Sequence, residues 1–149
     1  KVYVGFLFNH ESHMRPAHSV VREVARGVVD IHFGLHESLS VGNAGVIKEW
    51  MWAGDAVDAI FSLVDQNDIF EACIGDGIGR SVHDYAIACC EVVGISLEEH
   101  IIEIPNYEAE YSALVSDSKK ISSLGWTPKF NMKSLAKKMI EAEISNRKL

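Results

Sequence analysis

Asn9, His10, Glu11 and Ser12 stand directly behind an apolar run, Val4-Gly5-Phe6-Leu7-Phe8, and Arg15 follows shortly after. A run of that kind reads as a buried strand of a parallel sheet, apolar because both faces are covered. In open parallel sheets ligands bind just beyond the carboxyl ends of the strands. Asn9, His10, Glu11 and Ser12 are therefore expected where such a fold does chemistry. The plainer alternative, a buried strand followed by an ordinary polar turn, fits the same pattern.

Other groups with chemical potential are less well placed. Of the seven histidines, His10, His13 and His18 are near one another in sequence, but in a loop-to-helix turn. No His-Glu-x-x-His or clustered Cys/His spacing occurs, so no metal ligands are assigned. Cys73, Cys89 and Cys90 make no disulfide framework and read as small core residues of a protein in reducing cytoplasm. Gly75, Gly77 and Gly79 precede a helix, but their spacing is not Gly-x-Gly-x-x-Gly and no Walker lysine accompanies them, so they read as turn chemistry. Lys48 reads equally as a surface lysine or as a point charge for an anion.

The elements that must position these residues follow from periodicity. Val20, Val21, Val24, Ala25, Val28 and Val29 recur at helical spacing, with Gly34 as the stop. Arg22, Glu23, Arg26 and Asp30 fall on the other face, with Arg26 and Asp30 spaced to pair. Strands are expected at Leu39–Val41, Ile69–Gly75 and His100–Ile104. Asp55 is expected to cap a helix from Ala56 to Val64, and Ser81 to cap a helix ending at Gly94. Trp50 and Trp52 read as packing residues. Within Asp117 to Pro128 a helix is expected to stop at Gly125, with Trp126 covering the end and Pro128 preventing continuation. A last helix runs from about Met132 to Ser145, with Leu135, Met139, Ile140 and Ile144 inward.

The chain has 149 residues, 48% of them hydrophobic, enough for one domain with a proper core. A net charge of -7 argues against non-specific nucleic-acid binding and against an acidic membrane surface. No apolar run is long enough to span a membrane and no signal peptide is visible.

The stretch from Gly5 to Ser12, with Arg15, resembles the Gly-Ile-Leu-Phe-Asn-His-Glu-Ser-Pro-Arg-Arg segment of GDP-mannose 4,6-dehydratases, extended members of the short-chain dehydrogenase/reductase superfamily. Asp117 to Pro128 is similar to their Asp-x-x-Lys-x-x-x-x-Leu-Gly-Trp-x-Pro segment near the C-terminus. The resemblance implies that His10 and Arg15 contact a nicotinamide cofactor, NADP or NAD. It implies that Asn9, Arg22 and Lys48 serve a nucleotide-sugar, GDP-mannose favoured. The family chemistry oxidises the sugar at C4, eliminates water across C5 and C6, and returns the hydride to C6. Several positions depart from the pattern. His13 and Met14 replace Pro and Arg, Glu23 replaces a lysine, and no arginine occurs from Asn106 to Tyr111, where Tyr107 or Tyr111 could stack on a base.

Tyr3, Tyr85, Tyr107 and Tyr111 all lack a lysine four residues later, and no dinucleotide fingerprint is present. No catalytic residue is therefore assigned, and no turnover is expected from this chain alone. The expected fold is α/β: the C-terminal part of an extended Rossmann-type dehydrogenase, with one or two sheet strands plus a small mixed α/β substrate-binding subdomain over residues 1–149. The cofactor-binding domain is expected to lie outside the chain. Apolar sheet surface left bare would favour a homo-oligomer or a partner chain. The alternatives are part of a sister nucleotide-sugar epimerase or reductase, and a stand-alone module that binds a sugar nucleotide or a protein without catalysis.

Overall fold

A computed structural model describes residues 1–147. Three amphipathic helices build the larger core. They are α1 (Val20–His32), α3 (Val82–Val93) and α5 (Met132–Asn146). Each turns one apolar stripe inward: Val21, Val24, Ala25, Val28 and Val29 from α1, Tyr85, Ala86 and Cys89 from α3, and Leu135, Ala136, Met139 and Ile140 from α5. The Tyr85 hydroxyl, fully buried, donates to the Val21 carbonyl at 3.1 Å, which satisfies a polar group inside the seam and pins α3 to α1. Burial holds that phenol well above its ordinary range. It also pushes the Cys89 thiol up to about 12 and Cys90 up to about 11, so both are inert core residues.

The ends of these helices follow their sequence signals. Ser81 accepts from the Asp84 N–H at 2.9 Å and Asp84 accepts from the Ser81 N–H at 2.8 Å, a reciprocal capping box. Bonding to Ser81 holds the Asp84 carboxyl below its usual range. Gly94 closes α3 in the left-handed conformation, φ 75°. Gly27, in mid-α1, is there for space: a Cβ would stand 2.6 Å from Leu39 Cδ1.

The strands are short. β1 (Val4–Leu7) pairs in parallel with β6 (Glu71–Ile74), and β2 (His10–Glu11) with β5 (Met51–Trp52). β3 (Leu39–Val41) pairs in parallel with β8 (Ile101–Glu103). β4 (Ile47–Lys48) is flanked by β7 (Arg80–Ser81), antiparallel, and β9 (Ala113–Leu114), parallel. Helices α2 (Ala53–Val64) and α4 (Lys119–Ser123) pack on the β1–β6 pair, and Met51, Ala56, Ala59, Leu63, Ala72, Ile74, Ile121 and Trp126 form the second core between them.

Several expectations are corrected here. The α/β class is observed. The reading of the chain as one or two sheet strands plus a small mixed substrate-binding subdomain is not, because parallel strands covered by helices form a Rossmann-like layer within the chain itself. β1 is not buried on both faces: Val4, Phe6 and Leu7 are 43%, 53% and 52% exposed. Among the described residues β6 is its one strand partner. Asp55 does not cap α2, which starts two residues earlier. Its buried carboxylate instead accepts from the Phe130 N–H at 2.9 Å. Asp30 pairs with Arg147 rather than with Arg26. Among the described residues no helix is long and apolar enough to cross a membrane.

Two substitutions measure this framework in urea unfolding. Leu135→Ala is expected to destabilise by about 2–5 kcal/mol, the transfer and cavity cost of a fully buried leucine. Ser81→Ala is expected to lose about 1 kcal/mol with the cap.

Candidate functional site: a cleft at the end of the first strand

The chain leaves β1, turns at Phe8 and Asn9, and enters β2 at His10. A hollow of about 340 Å³ opens at this turn, lined by Leu7, Phe8, Asn9, His10, Arg15 and Leu114. Three residues singled out by the sequence, Asn9, His10 and Arg15, thus share one concavity at the carboxyl end of a parallel strand.

Each of the three presents a defined group. The Asn9 Oδ1 is buried and makes no hydrogen bond among the described residues, an acceptor whose desolvation is uncompensated. The His10 Nδ1 lies 2.9 Å from the Phe8 carbonyl. A carbonyl only accepts, so Nδ1 carries the proton and Nε2 of the neutral ring is left as an acceptor. Arg15 keeps a side chain 46% exposed while its Nε stands 3.3 Å from Glu11 Oε2.

Glu11 organises the wall behind them. It is 1% exposed, and its Oε1 accepts from the Lys48 Nζ at 3.1 Å while Oε2 faces Arg15. Lys48 is itself 5% exposed and lies 4.3 Å over the Trp50 ring, which stacks on Tyr85 at 4.3 Å between centroids. A buried carboxylate needs charged or hydrogen-bonding partners, and here two cations supply them. Sequence analysis placed Glu11 at the strand end and gave it no role. Its signal was available: an acidic residue three positions past an apolar strand, with a basic residue four positions on.

The other two sequence candidates are not in this hollow. Arg22 donates from Nε to Glu143 Oε1 at 2.7 Å and from Nη1 to the Arg15 carbonyl at 3.2 Å. Its charge is engaged by α5, and it braces the loop that carries Arg15. Lys48 touches a second hollow of about 350 Å³, together with His18, Glu23, Asn43, Tyr107 and Tyr111, but its ammonium is held by Glu11. His13 stacks on Trp52 at 6.2 Å and takes no part in the cleft.

Sequence analysis also gave no role to Glu49, Asp76 and Ser116, which meet behind the cleft. The fully buried Glu49 accepts from the Asp76 N–H at 2.6 Å and from the Ser116 N–H. Burial, reinforced by Glu49, pushes the Asp76 carboxyl up to about 6. No spacing brings positions 49, 76 and 116 together, so only tertiary structure reveals this group.

Comparison with known proteins bears on what such a cleft belongs to. The family model described as GDP-mannose 4,6 dehydratase matches residues 1–139. GDP-mannose 4,6 dehydratase 1 of Arabidopsis thaliana is 29% identical over 143 residues, covering 94% of this chain and 40% of that protein. GDP-mannose 4,6-dehydratase of Vibrio cholerae is 26% identical over 170 residues, covering 94% of this chain and 46% of that protein. The chain therefore spans less than half the length of these relatives. Among solved structures, RMD from Pseudomonas aeruginosa complexed with NADPH superposes with a TM-score of 0.87 at 18% identity, over 97% of this chain and 49% of that one. The dTDP-glucose 4,6-dehydratase of Bacillus anthracis in complex with NAD gives a TM-score of 0.81 at 14% identity, over 99% of this chain and 46% of that one. At these identities the superpositions establish the fold alone.

The match corrects the assignment of this chain to the C-terminal, substrate-binding half of such an enzyme. The matched stretch, residues 1–139, has a Rossmann-like α/β fold. The missing glycine fingerprint had pointed the other way, but a motif's absence is weaker than a match over nearly the whole chain. The chain belongs to the GDP-mannose 4,6-dehydratase family.

Proposed function

We propose that this chain is the nucleotide-binding part of an NAD(P)-dependent nucleotide-sugar dehydratase of the GDP-mannose type, and that the cleft at the end of β1 receives the cofactor. The observation that carries the reading is the convergence of Asn9, His10 and Arg15 on one hollow, with a buried Asn9 oxygen left without a partner. The donor set suits a dinucleotide. Asn9 lines the hollow, His10 offers a ring nitrogen to a ribose hydroxyl, and Arg15 offers its remaining guanidinium N–H groups to a phosphate or ribose oxygen. A bound nicotinamide supplies reversible hydride transfer there.

The chain's own residues bind and orient. Glu11 aims the Arg15 guanidinium, and Arg22 holds the loop beneath it. Lys48 compensates the Glu11 charge, so its contribution to any nucleotide-sugar passes through the cleft wall. The neighbouring hollow lined by His18, Asn43 and Tyr107 is the place for the sugar nucleotide, with GDP-mannose the favoured ligand. One observation supports a second reading, a sister epimerase or reductase acting on another nucleotide sugar. Glu23 and Glu110 line that hollow, and carboxylates beside a diphosphate repel it.

Calorimetric titration tests both readings. NADPH or NAD is expected to bind, with Arg15→Ala weakening it about tenfold through loss of a charge-assisted contact and His10→Ala weakening it less. Absence of binding by either cofactor overturns the proposal. Tighter binding of UDP-glucose or dTDP-glucose than of GDP-mannose selects the sister enzyme. Lys48→Met reports on the framework: with Glu11 left short of a cation, urea unfolding is expected to show a loss of about 3–5 kcal/mol.

A further inference from the structure

Glu49 lies between β4 and β5, is fully buried, and makes no ion pair among the described residues. Its two oxygens are occupied instead by main-chain donors from two different elements. Oε2 accepts from Asp76, which opens the turn after β6, and Oε1 accepts from Ser116, just past β9. Both elements lead to the cleft. The Ile74 carbonyl, at the end of β6, accepts from the Phe8 N–H at 3.0 Å, and Phe8 lines the hollow. Leu114, in β9, lines it as well. One carboxyl group thus ties together the chain segments behind two parts of the cleft wall.

The packing around this tie leaves no slack. A Cβ on Gly75 would collide with Glu49 Oε2 and Ser116 Oγ. The Ser116 Oγ is buried without a hydrogen-bond partner, so its main-chain bond to Glu49, not its hydroxyl, holds that residue in place. Asp76 then brings a second carboxyl group against the first. The groups facing it are Glu49 from the β4–β5 link, the Ile78 N–H of its own turn at 2.9 Å, and Arg80 from β7. Burial is the main reason that Asp76 holds its proton up to about 6. The Ile78 bond opposes this, and Glu49 adds to it.

We propose that Glu49 and Asp76 form a proton-controlled latch that sets the spacing of the Phe8 and Leu114 walls of the cleft. With Asp76 protonated, the two carboxyl groups lie together without repulsion and both main-chain bonds to Glu49 are kept. When Asp76 releases its proton to solvent, like charges oppose each other across the latch and the Leu114 wall loosens. Glu49 is in this sense a positioning residue. The link to cofactor affinity rests on the cofactor reading of the cleft, whereas the titration of the latch itself does not.

The test is a nitrogen–proton NMR titration of the full chain from pH 4 to pH 8, with NADPH titrated separately at pH 5.5 and pH 7.5. The Ser116 amide is the informative signal, since it donates to Glu49, the carboxyl group that faces Asp76. It is expected to titrate with the Asp76 amide at a midpoint of about 6, and Asp76→Asn is expected to flatten it. NADPH is expected to bind at least about fivefold more weakly at the higher pH in the wild type and about equally at both in Asp76→Asn. The folded Asp76 binds its proton more tightly than the unfolded one, so its stabilising effect is full below about 3.8 and is lost as pH rises to about 6. Asp76→Asn should therefore gain melting temperature relative to wild type over that interval, which also shows that the variant folds. A Ser116 amide that does not titrate, or that still titrates in Asp76→Asn, overturns the latch. NADPH affinity independent of pH in the wild type overturns its control of the cleft. If NADPH binds at neither pH while the amides titrate as described, the cofactor reading falls and the latch is supported.

Discussion

A carboxylate removed from water must be met by cations or hydrogen-bond donors, and the cleft is organised by the one at Glu11, which has two cations. Its two oxygens face Lys48 and Arg15, one nearly buried and one half in solvent. Lys48 neutralises the buried charge from behind, while Arg15 is aimed by Glu11 yet keeps N–H groups toward the hollow. Arginine suits the front position because its planar fork can serve a carboxylate and a second anion at once. Lysine suits the rear because a point charge on a flexible stem can also lie over the Trp50 ring.

This triad is continuous with the helical core. Lys48 rests on Trp50, Trp50 stacks on Tyr85, and Tyr85 bonds to the Val21 carbonyl in α1. The next residue of α1, Arg22, reaches Glu143 of α5 and the carbonyl of Arg15. The loop carrying the exposed guanidinium is thereby braced from the strand side by Glu11 and from the helix side by Arg22. A site held this way is pre-organised, since little side-chain freedom remains to be lost when a ligand arrives.

Much of the fold was legible where local physics decides. The valines of α1, the Ser81–Asp84 box, the Gly94 stop and the apolar stripe of α5 all lie where periodicity and capping put them. The failures have a common cause. Asp55 looked like a cap because aspartate caps helices, but the Phe130 N–H, 75 residues away, offered a better donor. Asp30 had a helical neighbour in Arg26 and took Arg147 instead. β1 looked doubly buried because its composition is apolar, but composition does not say what lies beside a strand. The half of the parent protein was misjudged for a related reason. The absence of a glycine motif does not exclude a Rossmann-like layer, because parallel strands and covering helices form one without it.

The candidate site divides along the same line. The order of residues alone put Asn9, His10 and Arg15 within seven successive positions after one strand, and the turns of the folded chain bring them to one hollow. It also determined the polarity of that end and the helices that support it, through patterns that depend on near neighbours. Tertiary structure decided that Glu11 would be buried between two cations, that Arg22 and Lys48 would serve the wall rather than the hollow, and that Glu49, Asp76 and Ser116 would meet. Those outcomes depend on burial and on partners distant in sequence. Both change the energy of a charge by more than any local preference does.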